Sequence, residues 1–261
     1  MTALRVDRPE AGVVLLTLAV PERRNAMTEE LTTAWGDAIR LLIGDESLRC
    51  VVVTGEGTAF CAGGDLSWID AGGSLGVAEI RARMLPFYRT WLAIRDLEVP
   101  TIAAVNGAAI GAGLALALAC DLRYAVPDAV LSAPFTLLGI HAGMATTWLL
   151  PEVAGLQVAR ELLLTGRAMT GAEAATLGLV NRTFPADTFM PDVLQVAHTI
   201  ASRAPIATRL TKVALAGGGH RSFEAALDWE SLAQPVTMAT ADLREGLRAQ
   251  RERRPPRFTG R

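Results

Sequence analysis

The chain has 261 residues, of which 51% are hydrophobic, and a formal net charge of -2. These values permit a large buried core and exclude a disordered chain. A net charge so near zero also argues against nucleic acid as the main partner. Three cysteines without the spacing of metal ligands predict no metal site and a reduced, cytoplasmic setting; they are Cys50, Cys61 and Cys120.

Predicted strands and helices alternate through the first half of the chain. Apolar, β-branched runs predict strands over residues 12–18, 49–54, 101–105, 122–125 and 129–132. Helical spacing predicts helices over 27–43 and 112–119, with a polar turn at 21–25. This alternation predicts an α/β fold.

One uncharged run, residues 102–120, has two interpretations. Its G-x-x-x-G pair, Gly107 and Gly111, is also found in membrane helices. Asn106 and the glycines interrupt the run, which favours a buried strand, a turn and a buried helix. Residues 1–8 carry charges and lack the apolar stretch of a signal peptide, so no membrane partner is expected.

The end of the chain is predicted to be helical throughout. Helices are expected over 207–216, 222–233 and 241–254, with glycines at 217–219 separating the first two. We therefore divide the chain into a core of residues 1–201 and a C-terminal helical region of residues 202–261. This region is expected to cover the core or to pack on another subunit.

Two glycine-rich segments follow predicted strands: FCAGGDL at 60–66 and NGAAIGAGL at 106–114. Small residues let a ligand approach the backbone closely, and the N–H groups that open a helix favour negative charge. Two such turns side by side can direct two N–H groups at one oxygen, as an oxyanion hole requires. Spacing alone equally permits two close-packed turns that bind nothing.

These segments and two further stretches, in this order along the chain, resemble the crotonase (enoyl-CoA hydratase/isomerase) superfamily. The further stretches are RRNAM at 23–27 and residues 162–181, which contain the family's TG, alanine-rich and GLV elements. The resemblance implies a spiral of ββα turns, a helical trimerisation region and a homotrimer or homohexamer. It also implies an acyl-CoA substrate, with coenzyme A as part of that substrate and no permanently bound cofactor.

The resemblance also implies roles for individual residues. The oxyanion donors would be the backbone N–H groups of Gly64 and Ala112. The positions that hold the adenosine end of CoA are matched by Arg24, Ala26 and Ala62.

A basic position near the C-terminus of the family can reach the CoA phosphate of a neighbouring subunit. Arg253 falls near it, although Arg251, Arg254 and Arg257 are also available, and a solvated run of charges is the alternative.

The sequence departs from the family where its hydratases carry two glutamates. Ala115 and Phe135 occupy these positions, and neither side chain can exchange protons. The aspartate that some relatives have a few residues later is also absent, with Gly143 or Met144 in its place. An efficient hydratase of the usual kind therefore does not follow from this sequence.

Three ionisable residues are candidates to replace the missing carboxylates. His141 lies on the loop that lines the acyl pocket in the family and can act as a base near neutral pH; a structural histidine bonded to the backbone is the alternative. Asp70 and Glu79 either reach the pocket or are solvated surface charges. Five aromatic residues either shape the pocket or fill the core: Trp68, Phe87, Trp91, Phe135 and Trp148.

Two other signals are discounted. GGSLG at 72–76 matches the G-x-S-x-G nucleophile elbow, but residues 68–71 before it are too short and polar a run for the buried strand that this motif needs. Cys61 lies inside the first glycine-rich segment and is interpreted as a small buried residue rather than a nucleophile.

Three functions therefore stay open. The first is an enoyl-CoA hydratase or isomerase, the second an acyl-CoA-binding protein without catalysis, and the third a thioester or C–C bond hydrolase. Turnover of crotonyl-CoA separates the first two, and release of free CoA marks the third.

Overall fold

The computed structural model describes residues 2–65, 75–218 and 222–261. The strands are β1 (Leu4–Glu10), β2 (Val13–Leu18), β3 (Cys50–Gly55), β4 (Ala59–Cys61), β5 (Thr101–Val105), β6 (Ala108–Ile110), β7 (Leu122–Ala125), β8 (Val130–Ser132), β9 (Ala168–Thr170) and β10 (Arg182–Thr183). The helices are α1 (Glu29–Ile43), α2 (Val77–Leu92), α3 (Ala112–Ala119), α4 (Thr146–Thr165), α5 (Gly171–Thr176), α6 (Phe189–Ala201), α7 (Pro205–Val213), α8 (Phe223–Met238) and α9 (Ala241–Glu252). Helix α4 is interrupted at Gly155, where φ is 80°.

The strands form two sheets, with the orders β1-β2-β3-β5-β7-β10 and β4-β6-β8-β9. Strands β3, β5 and β7 lie parallel in the first sheet, and β4, β6 and β8 lie parallel in the second. Three strand pairs follow one another along the chain: β3 and β4, β5 and β6, and β7 and β8. Each pair contributes one strand to each sheet and is followed by a helix, which is α2, α3 and α4, respectively. The chain therefore repeats a ββα unit three times and stacks the copies.

The central strands of the first sheet, β3 and β5, are buried at every position, so the sheet is covered on both faces there. Val51 and Val53 of β3 point into the larger hydrophobic cluster, which includes residues of α1 and α3. Cys50 and Val52 point to the other face and pack against residues of α6. This alternation follows from the two-residue period of a strand.

The predicted α/β alternation is confirmed, and several elements match closely. The strand over 101–105 and the helix over 112–119 have the predicted bounds. The short strands β4 and β6 were predicted only as parts of glycine-rich turns. Helices α2, α4 and α6 and the first strand, Leu4–Glu10, were not predicted. Four of the six exposed positions of this edge strand carry charges, which hide its strand pattern.

The C-terminal region is helical, as predicted, from Pro205 onward, and a short π-helix, Ala214–Gly218, extends α7. Its link to the core is polar: the buried Lys212 ammonium donates to the carbonyl oxygen of Val99 and lies 2.8 Å from the Asp121 carboxylate. In the parts of the chain that the structure describes, no helix has the length and apolar character needed to cross a bilayer.

Candidate functional site

The two glycine-rich turns lie directly against each other. Gly63 has φ 95°, and a Cβ built on it would lie 2.5 Å from the carbonyl oxygen of Ile110 and 3.3 Å from the amide nitrogen of Ala112. A Cβ on Gly113 would lie 2.1 Å from the carbonyl oxygen of Cys61. Only residues without side chains allow this approach, which explains why glycine is present in both segments.

The predicted donors, Gly64 and Ala112, both keep a free N–H group at this junction. Ala112 is the first residue of α3, where helix geometry leaves the N–H without an internal acceptor. Gly64 pairs with Met27 in an isolated bridge, in which the Met27 N–H donates to Gly63 at 2.8 Å. Within residues 2–65, 75–218 and 222–261, neither donor N–H has a protein acceptor.

Three of the four residues predicted to hold CoA, Arg24, Ala26 and Ala62, lie beside this junction. The Ala62 N–H donates to the carbonyl oxygen of Arg24 at 3.0 Å, so the RRNAM turn forms one wall of the first glycine-rich turn. The Arg24 side chain is exposed, and Ala26 and Ala62 are half-buried. Arg253 is exposed at the end of α9, and its N–H donates within that helix end, to Gln250.

Two contacts that the sequence analysis missed hold the first turn in place. The fully buried Asn25, at φ 56°, accepts from the Val20 N–H and donates to the carbonyl oxygens of Glu56 and Ala59. Arg23 donates to both carboxylate oxygens of Asp65 at 2.9 Å. Asparagine is one of the few non-glycine residues that tolerate positive φ, and that is the signal in the sequence that points to this turn.

The two positions that depart from the family lie next to the second turn. Ala115 is fully buried in the second turn of α3. Phe135 is 8% exposed, and its ring lies 3.8 Å from the position of a Cβ on Gly111. The side chains at both places are apolar and buried.

The two ionisable candidates that the structure describes, His141 and Glu79, are both exposed. His141 is exposed, and its Nδ1 lies 2.7 Å from the carbonyl oxygen of Ala142. Glu79 is exposed at the start of α2, where its carboxylate accepts from the Gly76 N–H at 3.0 Å. Asp70, like Trp68 and the serine of the discounted G-x-S-x-G match, lies outside the described residues.

The aromatic candidates separate into core and surface residues. Trp91 is fully buried and stacks on Trp35 with ring centroids 5.0 Å apart. Phe87 is half-buried, and Trp148 is 66% exposed at the start of α4.

Tyr88, on α2, is a polar residue beside the loop before α4 that the sequence analysis did not single out. A Cβ on Gly143 would lie 2.5 Å from the Tyr88 hydroxyl oxygen, so the phenol lies against the loop before α4. Burial raises the pKa of Tyr88, and a facing backbone N–H of Met144 opposes that rise. Met144 and Ala145 both have positive φ, a strained conformation that is common at binding sites. No sequence motif contains Tyr88; only its contact with the loop reveals it.

A large groove lies elsewhere in the molecule. It has a volume of about 580 Å³ and is lined by residues such as Pro100, Leu118, Asp121, Lys212 and Leu215. These residues surround the amino-terminal starts of β5 and β7, whereas the glycine-rich turns follow the carboxyl ends of β4 and β6. The groove is therefore separate from the candidate site.

The cysteines are expected to be inert in the folded protein. Burial raises the pKa of each of the three thiols to about 12, so only about one thiol in ten thousand is ionised at pH 8. We expect no labelling by 5,5′-dithiobis(2-nitrobenzoic acid) at pH 8 without denaturant, and three equivalents after unfolding. Rapid labelling of the native protein at Cys61 would contradict its interpretation as a buried, unreactive residue.

Comparison with known proteins gives one consistent result. The family model described as enoyl-CoA hydratase/isomerase matches residues 8–261. A Thermus thermophilus protein assigned to the enoyl-CoA hydratases is 36% identical over 98% of this chain and 100% of its own length. The 1,2-epoxyphenylacetyl-CoA isomerase of Escherichia coli is 32% identical over 96% of each chain. The crystal structure of enoyl-CoA hydratase from Bacillus anthracis superposes with a TM-score of 0.93 at 33% identity, covering 99% of this chain and 100% of that one. The predicted crotonase-like α/β fold with a helical C-terminal region is thereby confirmed, and the chain belongs to the enoyl-CoA hydratase/isomerase family.

Proposed function

We propose that the protein binds an acyl-CoA thioester and holds its carbonyl oxygen between the N–H groups of Gly64 and Ala112. The observation that supports this proposal is the close contact of Gly63, the neighbour of one proposed donor, with the backbone at Ile110 and Ala112. Two fixed N–H groups there stabilise the negative charge that the oxygen gains when the thioester becomes an enolate. CoA is part of the substrate, and the turn at Arg24, Ala26 and Ala62 contacts its adenosine end.

The reaction that we propose is that of an enoyl-CoA hydratase or isomerase with an atypical active site. An isomerase moves a proton without adding water, so it needs a group that carries the proton but no carboxylate that holds water. The relatives include both an isomerase and proteins assigned to the hydratases. A non-catalytic acyl-CoA-binding protein is the second candidate, favoured by the apolar residues Ala115 and Phe135, and a hydrolase on the same scaffold is the third.

Hydration of crotonyl-CoA is expected to be slow or undetectable, while crotonyl-CoA still binds. Each missing acid–base group costs about 10²–10⁴-fold in rate, whereas the backbone donors do not depend on these side chains. Isothermal titration calorimetry measures the binding, and the loss of enoyl absorbance measures hydration. Binding without any turnover would favour the non-catalytic candidate, and release of free thiol would favour the hydrolase. Absence of binding to any acyl-CoA would contradict the proposal as a whole.

His141 stays the first candidate for a base if turnover is found. Replacing His141 with glutamine should then remove most of the activity and leave CoA affinity unchanged, because the oxyanion donors are backbone groups. A glutamine variant with wild-type activity would exclude this role.

The protein is expected to form a trimer or a hexamer through its late helices. Helices α8 and α9 expose large apolar side chains in the single chain: Phe223, Leu227, Leu232, Val236, Met238, Leu243 and Leu247. Contiguous exposed apolar surface of this kind marks subunit contacts. Light scattering at micromolar concentration should report three or six chains, and Leu232→Asp should lower that number because Leu232 is 72% exposed. A monomeric wild type would contradict this assembly.

A further inference from the structure

The groove of about 580 Å³ beside α7 has the size and the lining of a site for a small molecule. Residues 118–123, from the end of α3 to the start of β7, form one part of its lining. Residues of α7 and of the π-helix after it, up to Leu215 and Ala216, form another. Most of these residues are apolar, and π-helices are rare and frequently found at functional sites.

The ionisable residues of the groove leave an excess of positive charge. Four basic residues line it against two acidic ones: Arg95, Arg123, Arg203 and Lys212 against Asp121 and Glu152. The Lys212 ammonium is already paired with the Asp121 carboxylate. Within residues 2–65, 75–218 and 222–261, none of the three arginines forms an ion pair. The groove therefore has cationic groups available for an anion.

Arg123 is the buried member of this set, with 8% of its surface exposed. Its Nε donates to the carbonyl oxygen of Leu179 at 2.9 Å, and its Nη1 donates to that of Cys120 at 2.6 Å. These carbonyls fix the guanidinium in place but do not neutralise its charge. Burial lowers the pKa of Arg123, as expected for a guanidinium without a counter-ion. A buried cation is costly unless an anion pairs with it.

We propose that this groove binds an amphiphilic carboxylate, with its carboxylate on the Arg123 guanidinium and its hydrocarbon chain along the apolar residues of α7 and the π-helix. A planar guanidinium matches the geometry of a carboxylate, and apolar walls suit a hydrocarbon chain. A small inorganic anion would leave the walls uncovered, and a neutral lipid would leave Arg123 unpaired. Because the groove is separate from the glycine-rich turns, this inference does not depend on the proposed acyl-CoA function.

The test compares the binding of octanoate, octanamide and acetate by isothermal titration calorimetry. Octanamide has the same chain without the charge, and acetate has the charge without the chain. The wild type should bind octanoate about tenfold or more tightly than octanamide, because octanamide cannot form a hydrogen bond between two charged groups. Acetate should bind about 100-fold or more weakly than octanoate, because it buries little apolar surface. Equal affinities for octanoate and octanamide would overturn the inference.

Two variants locate the bound octanoate, and a third is their control. Arg123→Met removes the charge and should abolish the preference for octanoate over octanamide. Leu215→Asp places a carboxylate in the groove at a residue that is 70% exposed, and should weaken octanoate binding about tenfold or more. Leu41→Asp is the matched control, since Leu41 is 77% exposed on α1 and lies outside the groove, so the affinity should be unchanged.

Leu215→Asp decides the outcome if Arg123→Met does not fold. Wild-type affinity for octanoate in Leu215→Asp would show that the ligand binds elsewhere and would overturn the inference. Absence of octanoate binding to the wild type would also overturn it. A smaller number of chains in Leu215→Asp by light scattering would then show that a neighbouring subunit covers the groove. Neither result would affect the proposed binding of an acyl-CoA.

Discussion

Replacing Ala112 with proline should lower acyl-CoA turnover by about 10²–10³-fold, the usual cost of deleting one oxyanion donor. Proline removes the N–H group that we propose as a donor. It also suits the first position of a helix, where the N–H has no internal acceptor and φ is already near the value that the ring imposes. Helix α3 should therefore persist, and circular dichroism should match the wild type.

The readout does not depend on knowing the natural reaction. If the wild type binds an acyl-CoA without turnover, the ¹³C shift of its thioester carbonyl reports the polarisation, which Ala112→Pro should abolish. Ala112→Gly keeps the N–H at the same position and serves as the matched control, with polarisation close to the wild type. Equal carbonyl shifts in the wild type and Ala112→Pro would show that this N–H does not contact the oxygen.

Gly113→Ala should destabilise the protein by about 3 kcal/mol or more, at the upper end for overpacking. The added methyl group would lie 2.1 Å from the carbonyl oxygen of Cys61 and 2.8 Å from its carbonyl carbon. Backbone atoms at the end of β4 cannot move aside as a flexible side chain can. For a chain of this size the expected fall in the melting temperature is roughly 6–12 °C, measured at one protein concentration because assembly also affects it.

Gly246→Ala is a control that should raise the stability of the protein, whereas Gly113→Ala should lower it. Gly246 lies inside α9, and its added Cβ would meet only the Phe258 ring, at 3.6 Å. Alanine is favoured over glycine in a helix by about 1 kcal/mol, so this variant should be slightly more stable than the wild type. A small loss of stability in Gly113→Ala, similar in size to this gain, would mean that the two glycine-rich turns are not tightly packed.

The parts of the fold that the sequence predicts are those with a strong local pattern. Strand β5 and helix α3 are uninterrupted apolar runs, and the glycines around them mark their ends. Helix α2 was missed because Pro86 and charged residues break its pattern, and α4 because it contains both Pro151 and a break at Gly155. In these helices tertiary packing decides the conformation, and local propensity is a weak guide.

The candidate site likewise contains residues that the sequence predicts and residues that only the structure reveals. Its glycines could be found from the sequence because a close approach of two backbones leaves no alternative residue. Tyr88 could not be found, because a tyrosine in an amphipathic helix has no distinguishing neighbours until the loop at Gly143 is placed against it. The roles of Asn25 and Arg23 likewise depend on contacts with residues more than 30 positions away.

The buried Lys212 is expected to couple the local unfolding of α7 to that of β5. Its ammonium is held by Val99 and Asp121, and the same carboxylate accepts from the N–H and the hydroxyl of Thr101, the first residue of β5. Detaching α7 would break the hydrogen bond to Val99 and leave the Asp121 carboxylate, which also holds the start of β5, without its cationic partner. Amide protons in α7 and in β5 should therefore exchange with solvent in a single concerted opening. The last helices should not unfold separately while the rest of the protein stays folded.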